Sequence, residues 1–284
     1  MNILKTGLLL AVLTVLLVAI GHLVGGPRGA SIALAFALGM NLISYWFGDK
    51  MVLAMYRAKP LSEAEAPQVY RAVREIATRI NMPMPKLYWI PTATPNAFAT
   101  GRSPKHASVA VTSGLLELMD EEELKGVLAH ELSHVKNRDT LVMTIAAAIA
   151  GAIMWLADMA RWSLWLGGGR DRDENRGNGA AQLIAMMLVA MLAPIAAMLV
   201  QLAISRTREY SADTTGAQLA GNPYGLARAL QKLQAANEAH PLPANAATAH
   251  LFIVNPLSGR AIATLFSTHP PLEERIKRLQ RMRL

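Results

Sequence analysis

Two stretches without a charged side chain open the chain, residues 6–27 between Lys5 and Arg28 and residues 29–48 between Arg28 and Asp49. Each reaches the ~20 residues that a helix needs to cross a hydrocarbon core. A cleaved leader does not fit, because the first apolar run is longer than a leader's and a second follows at once. The expected element is an uncleaved transmembrane hairpin turning near Pro27. Composition agrees, with 52% of residues apolar and 17% charged, against ~25% charged in an ordinary soluble domain.

Two further apolar stretches follow, residues 140–157 and 177–205. They read either as a second transmembrane hairpin or as a buried pair, since the first is short and Pro194 and Gln201 interrupt the second. Lys5 precedes the opening hairpin and Lys50, Arg57 and Lys59 follow it, whereas its turn holds only Arg28. The positive-inside rule then places both ends of that hairpin in the cytoplasm. Arg161, Arg170, Arg172 and Arg176, in the polar segment 161–179, run against the rule for a second spanning pair. The net charge of +8 reflects membrane flanks, and no basic motif with interleaved aromatics argues for nucleic acid. With no cysteine, disulfides and thiolate–metal sites are excluded, as suits a cytoplasmic catalytic region.

Between the apolar pairs the pattern becomes that of a small α+β domain. Ser62 and Glu65 form a capping box ahead of Val69, Val73, Ile76, Ala77 and Ile80, which share one face of an amphipathic helix ending before Pro83. Strand formers concentrate at residues 86–90 and 107–111, with Pro95-Asn96-Ala97-Phe98-Ala99-Thr100-Gly101 between them. Asp120 and Glu123 form a second capping box, opening a helix that carries His130-Glu131-Leu132-Ser133-His134. This HExxH spacing sets two imidazoles on one helical face with a carboxylate beside the first, the layout of a zinc hydrolase.

Zinc needs a third protein ligand. The metzincin pattern fails, because Asn137 and Thr140 stand where its glycine and third histidine would be. Glu209 and Asp213, four residues apart just after the last apolar stretch, share a helical face, so Glu209 can ligate while Asp213 orients an imidazole from behind. An ordinary solvated helix would carry the same charges; the HExxH helix selects the ligand reading. Glu209 reaches the histidines only if residues 140–205 return the chain to the side it left.

These features together resemble the HtpX family of bacterial inner-membrane zinc endopeptidases, related to the CAAX prenyl endopeptidases. The resemblance covers essentially the whole chain and rests on the N-terminal hairpin, residues 96–101, the HExxH pentad, Arg208-Glu209-Tyr210-Ser211-Ala212-Asp213 and Ser267-Thr268-His269-Pro270-Pro271. It implies a stress-response protease at the cytoplasmic face of the inner membrane, degrading damaged or misfolded membrane proteins, often with self-cleavage. It also implies that Asn96 and His269 contact the substrate backbone, His269 steadying the oxyanion, and that Arg275 pairs with acidic residues around the site.

The expected molecule is a mainly α integral membrane protein in four parts. Residues 1–48 form the transmembrane hairpin; residues 49–139 and 206–284 form a zincin-like catalytic domain with a small sheet; residues 140–205 form the inserted apolar hairpin. One zinc ion per chain is expected on His130, His134 and Glu209, with Glu131 as general base. The substrate is expected to lie as an extended strand along residues 96–101. Two other readings share the motif: an idle scaffold or holdase, and an intramembrane metalloprotease, for which Glu121 to Glu123, Lys125, Lys136 and Arg138 make the motif helix too charged.

Overall fold

The structure is a computed structural model and describes residues 2–151, 206–239, 251–253 and 270–284. Helix α1 (Asn2–Met55) is broken at Gly25 and Gly26, where φ of +59° at Gly26 reverses the chain ahead of Pro27. That positive φ favours glycine. The two arms then meet: a Cβ on Gly21 would lie 2.5 Å from Ala33 Cβ, and Asn41 Nδ2 donates to Thr14 Oγ1 at 3.0 Å. Small residues and a polar cross-link are what apolar helices use to pair where water is absent. Gly25–Met55 is long and apolar enough to cross a membrane, with 11% of its apolar window buried in the protein, and Leu10–Ala19 is a shorter apolar helix in the first arm. Leu34, Phe36, Leu38, Leu42 and Ile43 all face outward.

The catalytic half pairs a four-stranded sheet with helices. Strands β1 (Lys59–Pro60), β2 (Lys86–Ile90), β3 (Ala97–Thr100) and β4 (Ser108–Thr112) lie in the order β1-β2-β4-β3, with β2 and β4 parallel and the edges antiparallel. Helix α2 (Pro67–Arg79) buries Val69, Val73, Ile76 and Ala77, the face expected from the periodicity. Its start differs. Ser62 N–H and Glu65 Oε2 do bond at 2.9 Å, but residues 62–66 form a turn and the helix begins at Pro67. A proline at the first helical position lacks only an N–H that would be unpaired there, so it sets the boundary. Short α3 (Ser113–Leu118) follows β4, capped by Thr112.

Helix α4 (Glu121–Lys136) carries the HExxH pentad and starts on the expected Asp120–Glu123 capping box, both reciprocal bonds present. Helix α5 (Asp139–Gly151) is buried at every residue and runs beside the second arm of α1. There a Cβ on Gly48 would sit 3.1 Å from Thr144 Cγ2. The rest of the inserted apolar pair, the segment 161–179 and His269 lie outside the described residues.

Helices α6 (Arg206–Ala220) and α7 (Pro223–Ala239) pack against α4, and α8 (Leu272–Arg281) packs on both of them. Gly216 makes the α4–α6 crossing close: a Cβ there would be 2.9 Å from both Cα and N of His130. Two turns before it stands Glu209, which this crossing delivers to the motif histidines. Leu124, Val127, Leu128, Leu132, Leu226, Leu230 and Ile276 fill the core between these helices and the sheet.

Candidate active site

His130 and His134 project from α4, and α6 adds Glu209. The three residues are buried, and their candidate ligand atoms lie within 4.8 Å of one another. Nε2 of His130 and Nε2 of His134 are 3.3 Å apart; Glu209 Oε2 is 3.7 Å from the first and Oε1 3.5 Å from the second. Zinc bonds of about 2.0–2.1 Å in a tetrahedron set donors about 3.3–3.5 Å apart. The trio thus has the chemistry and size of one face of a tetrahedral zinc site.

Each imidazole is backed by a carboxylate. His134 Nδ1 lies 3.3 Å from Asp139 Oδ2, and His130 Nδ1 lies 3.0 Å from Asp213 Oδ1, though its N–H line is off the oxygen. Such partners fix the tautomer that leaves Nε2 free for metal. Asp213 is in turn held by Arg275, with Nε to Oδ2 at 2.8 Å and Nη2 to Oδ1 at 2.7 Å, and Arg275 Nη1 lies 3.5 Å from Glu209 Oε2. Arg275 has no exposed surface. Asp139 has a counterpart cation too, since the charge of partly buried Arg208 faces both Asp139 and Glu209.

Glu131 is buried beside the trio and accepts the backbone N–H of Ala99 at 2.9 Å. Strand register explains the donor. Thr112 N–H bonds to Asn96 C=O, which sets Asn96, Phe98 and Thr100 in the paired phase and turns the N–H and C=O of Ala97 and Ala99 away from β4. Asn96 itself is buried, with Oδ1 accepting Ile253 N–H at 3.4 Å. Just past β3, Arg102 stacks on Trp46 of α1 at 4.3 Å, tying the site's edge strand to the foot of the apolar helix.

The electrostatics follow from burial and pairing. Burial pushes Glu131 up to about 8, with the Glu209 charge adding and His134 opposing. Burial pulls His134 down, but the Asp139 hydrogen bond and the charges of Glu209 and Glu131 outweigh it and raise it to about 9. His130 is lowered by burial despite Asp213. Asp213 would be raised by burial, but Arg275 holds it below the usual range.

These shifts give a pH dependence. His134 keeps its proton to about 9 when folded, against 6.5 ordinarily, so its contribution to stability is full below 6.5 and is lost as pH rises through 9. Glu131 ionises near 8 instead of 4.5, so its burial is costless below 4.5 and increasingly costly up to 8. Both lower stability as pH rises from 7 to 8, and His134 continues the fall to 9, above the range where His130 titrates. The thermal midpoint of the metal-free protein should therefore fall from pH 7 to pH 9. A flat or rising midpoint in that window would contradict the geometry, and scanning calorimetry of the chelated protein checks it.

Of the residues expected from sequence, the structure brings together His130, Glu131, His134, Glu209, Asp213, Arg275 and Asn96. Asp139 was not expected; its signal is its position five residues after His134, just ahead of the apolar stretch 140–157. Residues 251–253 were not expected either, and nothing local marks them.

A buried HExxH helix with a glutamate from a later helix completing the donor trio, beside a helix long and apolar enough to cross a membrane, is the arrangement of a membrane metalloendopeptidase. The model of peptidase family M48 matches residues 63–283. A protease HtpX homolog of Syntrophobacter fumaroxidans is 59% identical over 280 residues, covering 98% of each chain. One from Pyrococcus furiosus is 55% identical over 279 residues, covering 98% of this chain and 95% of its own. The chain belongs to peptidase family M48, among the HtpX proteases. The fold also matches the crystal structure of S. mikatae Ste24p, with TM-score 0.50 and 20% identity, over 88% of this chain and 57% of that one.

Proposed function

We propose that this metalloendopeptidase uses a single zinc ion held by His130, His134 and Glu209, with Glu131 as the general base. Zinc, when bound, supplies a Lewis acid that lowers the pKa of a water molecule toward ~7 and polarises the scissile carbonyl. Glu131 takes the proton of the attacking water and returns it to the leaving amine. The observation that carries this reading is the Glu131 carboxylate, buried beside the donor trio and fixed by the Ala99 N–H at 2.9 Å. In the metal-free protein burial raises its proton affinity above the usual carboxylate range, the direction that suits a group taking up and returning a proton. Asp213 and Asp139 orient the two imidazoles, and Arg275 anchors Asp213.

The substrate lies along β3, where the Ala97 N–H and C=O and the Ala99 C=O turn away from β4 and suit strand pairing that tolerates any sequence, the Ala99 N–H being kept by Glu131. The N-terminal hairpin spans the inner membrane with both ends in the cytoplasm, placing the cleft where damaged or misfolded membrane proteins are reached, with self-cleavage as a by-product. The inserted apolar pair accompanies it, and α5 packing along α1 at Gly48 supports that arrangement. His269, the oxyanion donor implied by resemblance, joins this set as a sequence-based assignment.

Chelation tests the reading. Detergent-solubilised protein should cleave an unfolded model protein, lose that cleavage on removal of metal, and regain it with one equivalent of zinc. Cleavage that survives complete metal removal would refute it.

A further inference from the structure

The cleft beside the donor trio is filled by the chain itself. Leu251, Phe252 and Ile253 are 2%, 5% and 3% exposed, and they line the space bounded by His130, Glu131, His134, Glu209 and Met143. That space is about 10 Å³, room for about one water, whereas ligand clefts begin near ~300 Å³. Among the described residues, this space is too small for a peptide while these three residues stay.

Their contacts are those of a bound peptide. The main chain of Ile253 is clasped at both polar groups: its N–H by Asn96 Oδ1 at 3.4 Å, its C=O by Arg275 Nη1 at 2.9 Å. Backbone bonds of this kind do not depend on which side chain the residue bears. Leu251 and Phe252 enter an apolar cluster built from Val52 and Leu53 of α1, Phe98 of β3 and Met143 of α5. The ring of Phe252 meets that of Tyr56, 5.7 Å away. The pocket walls thus include the foot of the apolar helix and the strand next to Glu131. Yet the segment is no strand: Leu251 stands in a 3-10 turn, and Phe252 and Ile253 are bends. A bent main chain cannot pair along Ala97 and Ala99, so it fills the cleft without presenting a peptide bond in the extended form.

We infer that Leu251-Phe252-Ile253 is an intramolecular ligand of the substrate cleft, marking a subsite for peptides with adjacent large apolar residues, and that it leaves when substrate enters. The inference rests on the proposed protease reading. Substrate then competes with the chain's own segment, and the apparent affinity is reduced by the fraction of molecules that are open.

The test uses the full-length, zinc-loaded protein in detergent and a quenched peptide carrying a Leu-Phe-Ile core. Leu251→Ala with Phe252→Ala should lower KM about tenfold or more, with kcat held or raised; an unchanged or higher KM overturns the inference. Because this variant removes apolar packing, a second measurement locks the segment instead. The chain has no cysteine, so Tyr56→Cys with Phe252→Cys supplies the only two thiols, which a short bifunctional reagent can join. Joining them should abolish peptide cleavage with zinc content unchanged. A joined protein that cleaves as fast as the unjoined one overturns the inference while the protease reading stands. Zinc-loaded protein that cleaves nothing, joined or unjoined, overturns the protease reading itself.

Discussion

Glu131→Gln should lower kcat for protein cleavage by about 10²–10⁴-fold, the contribution usual for a positioned acid–base group, while the protein still binds one zinc. Glutamine keeps the size of the side chain and can still accept the Ala99 N–H, now 2.9 Å from Oε2, but it cannot take a proton from water. Stability separates this loss from misfolding. Burial opposes the ionised form of Glu131 and pushes it to about 8, so removing the carboxylate relieves a cost that grows as pH rises. With metal removed, the variant should be at least as stable as the parent at pH 9; kinetics of the zinc-loaded protein beside thermal denaturation of the metal-free protein show both effects. Wild-type rates in a zinc-loaded variant would remove Glu131 from the chemistry.

Arg275→Met should be the most destabilising single change among the charged residues of the site. The guanidinium is fully buried, bonds both oxygens of Asp213 at 2.7 and 2.8 Å, and donates to the Ile253 carbonyl. Removing one partner of a buried pair strands the other charge, at about 3–5 kcal/mol, or roughly 10 °C in thermal midpoint. Here two carboxylates are stranded, because Arg275 also faces Glu209 at 3.5 Å. Arg275→Lys should recover only part of the loss, since an ammonium cannot form the fork. Arg278→Met, one turn on in α8 with an exposed partner in Glu274, should change little, as exposed pairs do. Equal effects of Arg275→Met and Arg278→Met would show that the buried network carries no special weight.

Local chemistry made much of this legible. The Asp120–Glu123 box is complete within four residues, so α4 starts where the sequence places it. Lys86–Ile90 emerges as a strand because β-formers dominate it. Glu209 and Asp213 share a helical face whatever the surrounding fold, and the structure brings both to His130. Harder features depend on distant partners. Residues 97–100 sit between Pro95 and Gly101, turn formers by local rules, and become a strand through pairing with β4. The Ser62–Glu65 bond forms as expected, yet Pro67 fixes the helix start downstream. Asp139 gains meaning only once α5 turns back from α4, and Leu251 to Ile253 only once the cleft closes around them.

In the proposed enzyme Glu209, arriving across the inserted segment, completes one zinc site with His130 and His134. Zinc binding to complete protein sites is worth ~10–16 kcal/mol, or about 3 kcal/mol per ligand, so Glu209→Ala should weaken binding at least ~100-fold. Metal analysis after dialysis against a zinc buffer set between the two affinities measures this directly. Wild-type protein should hold one zinc per chain and Glu209→Ala close to none. Equal zinc in both proteins, or none in the wild type under any buffered condition, would contradict it.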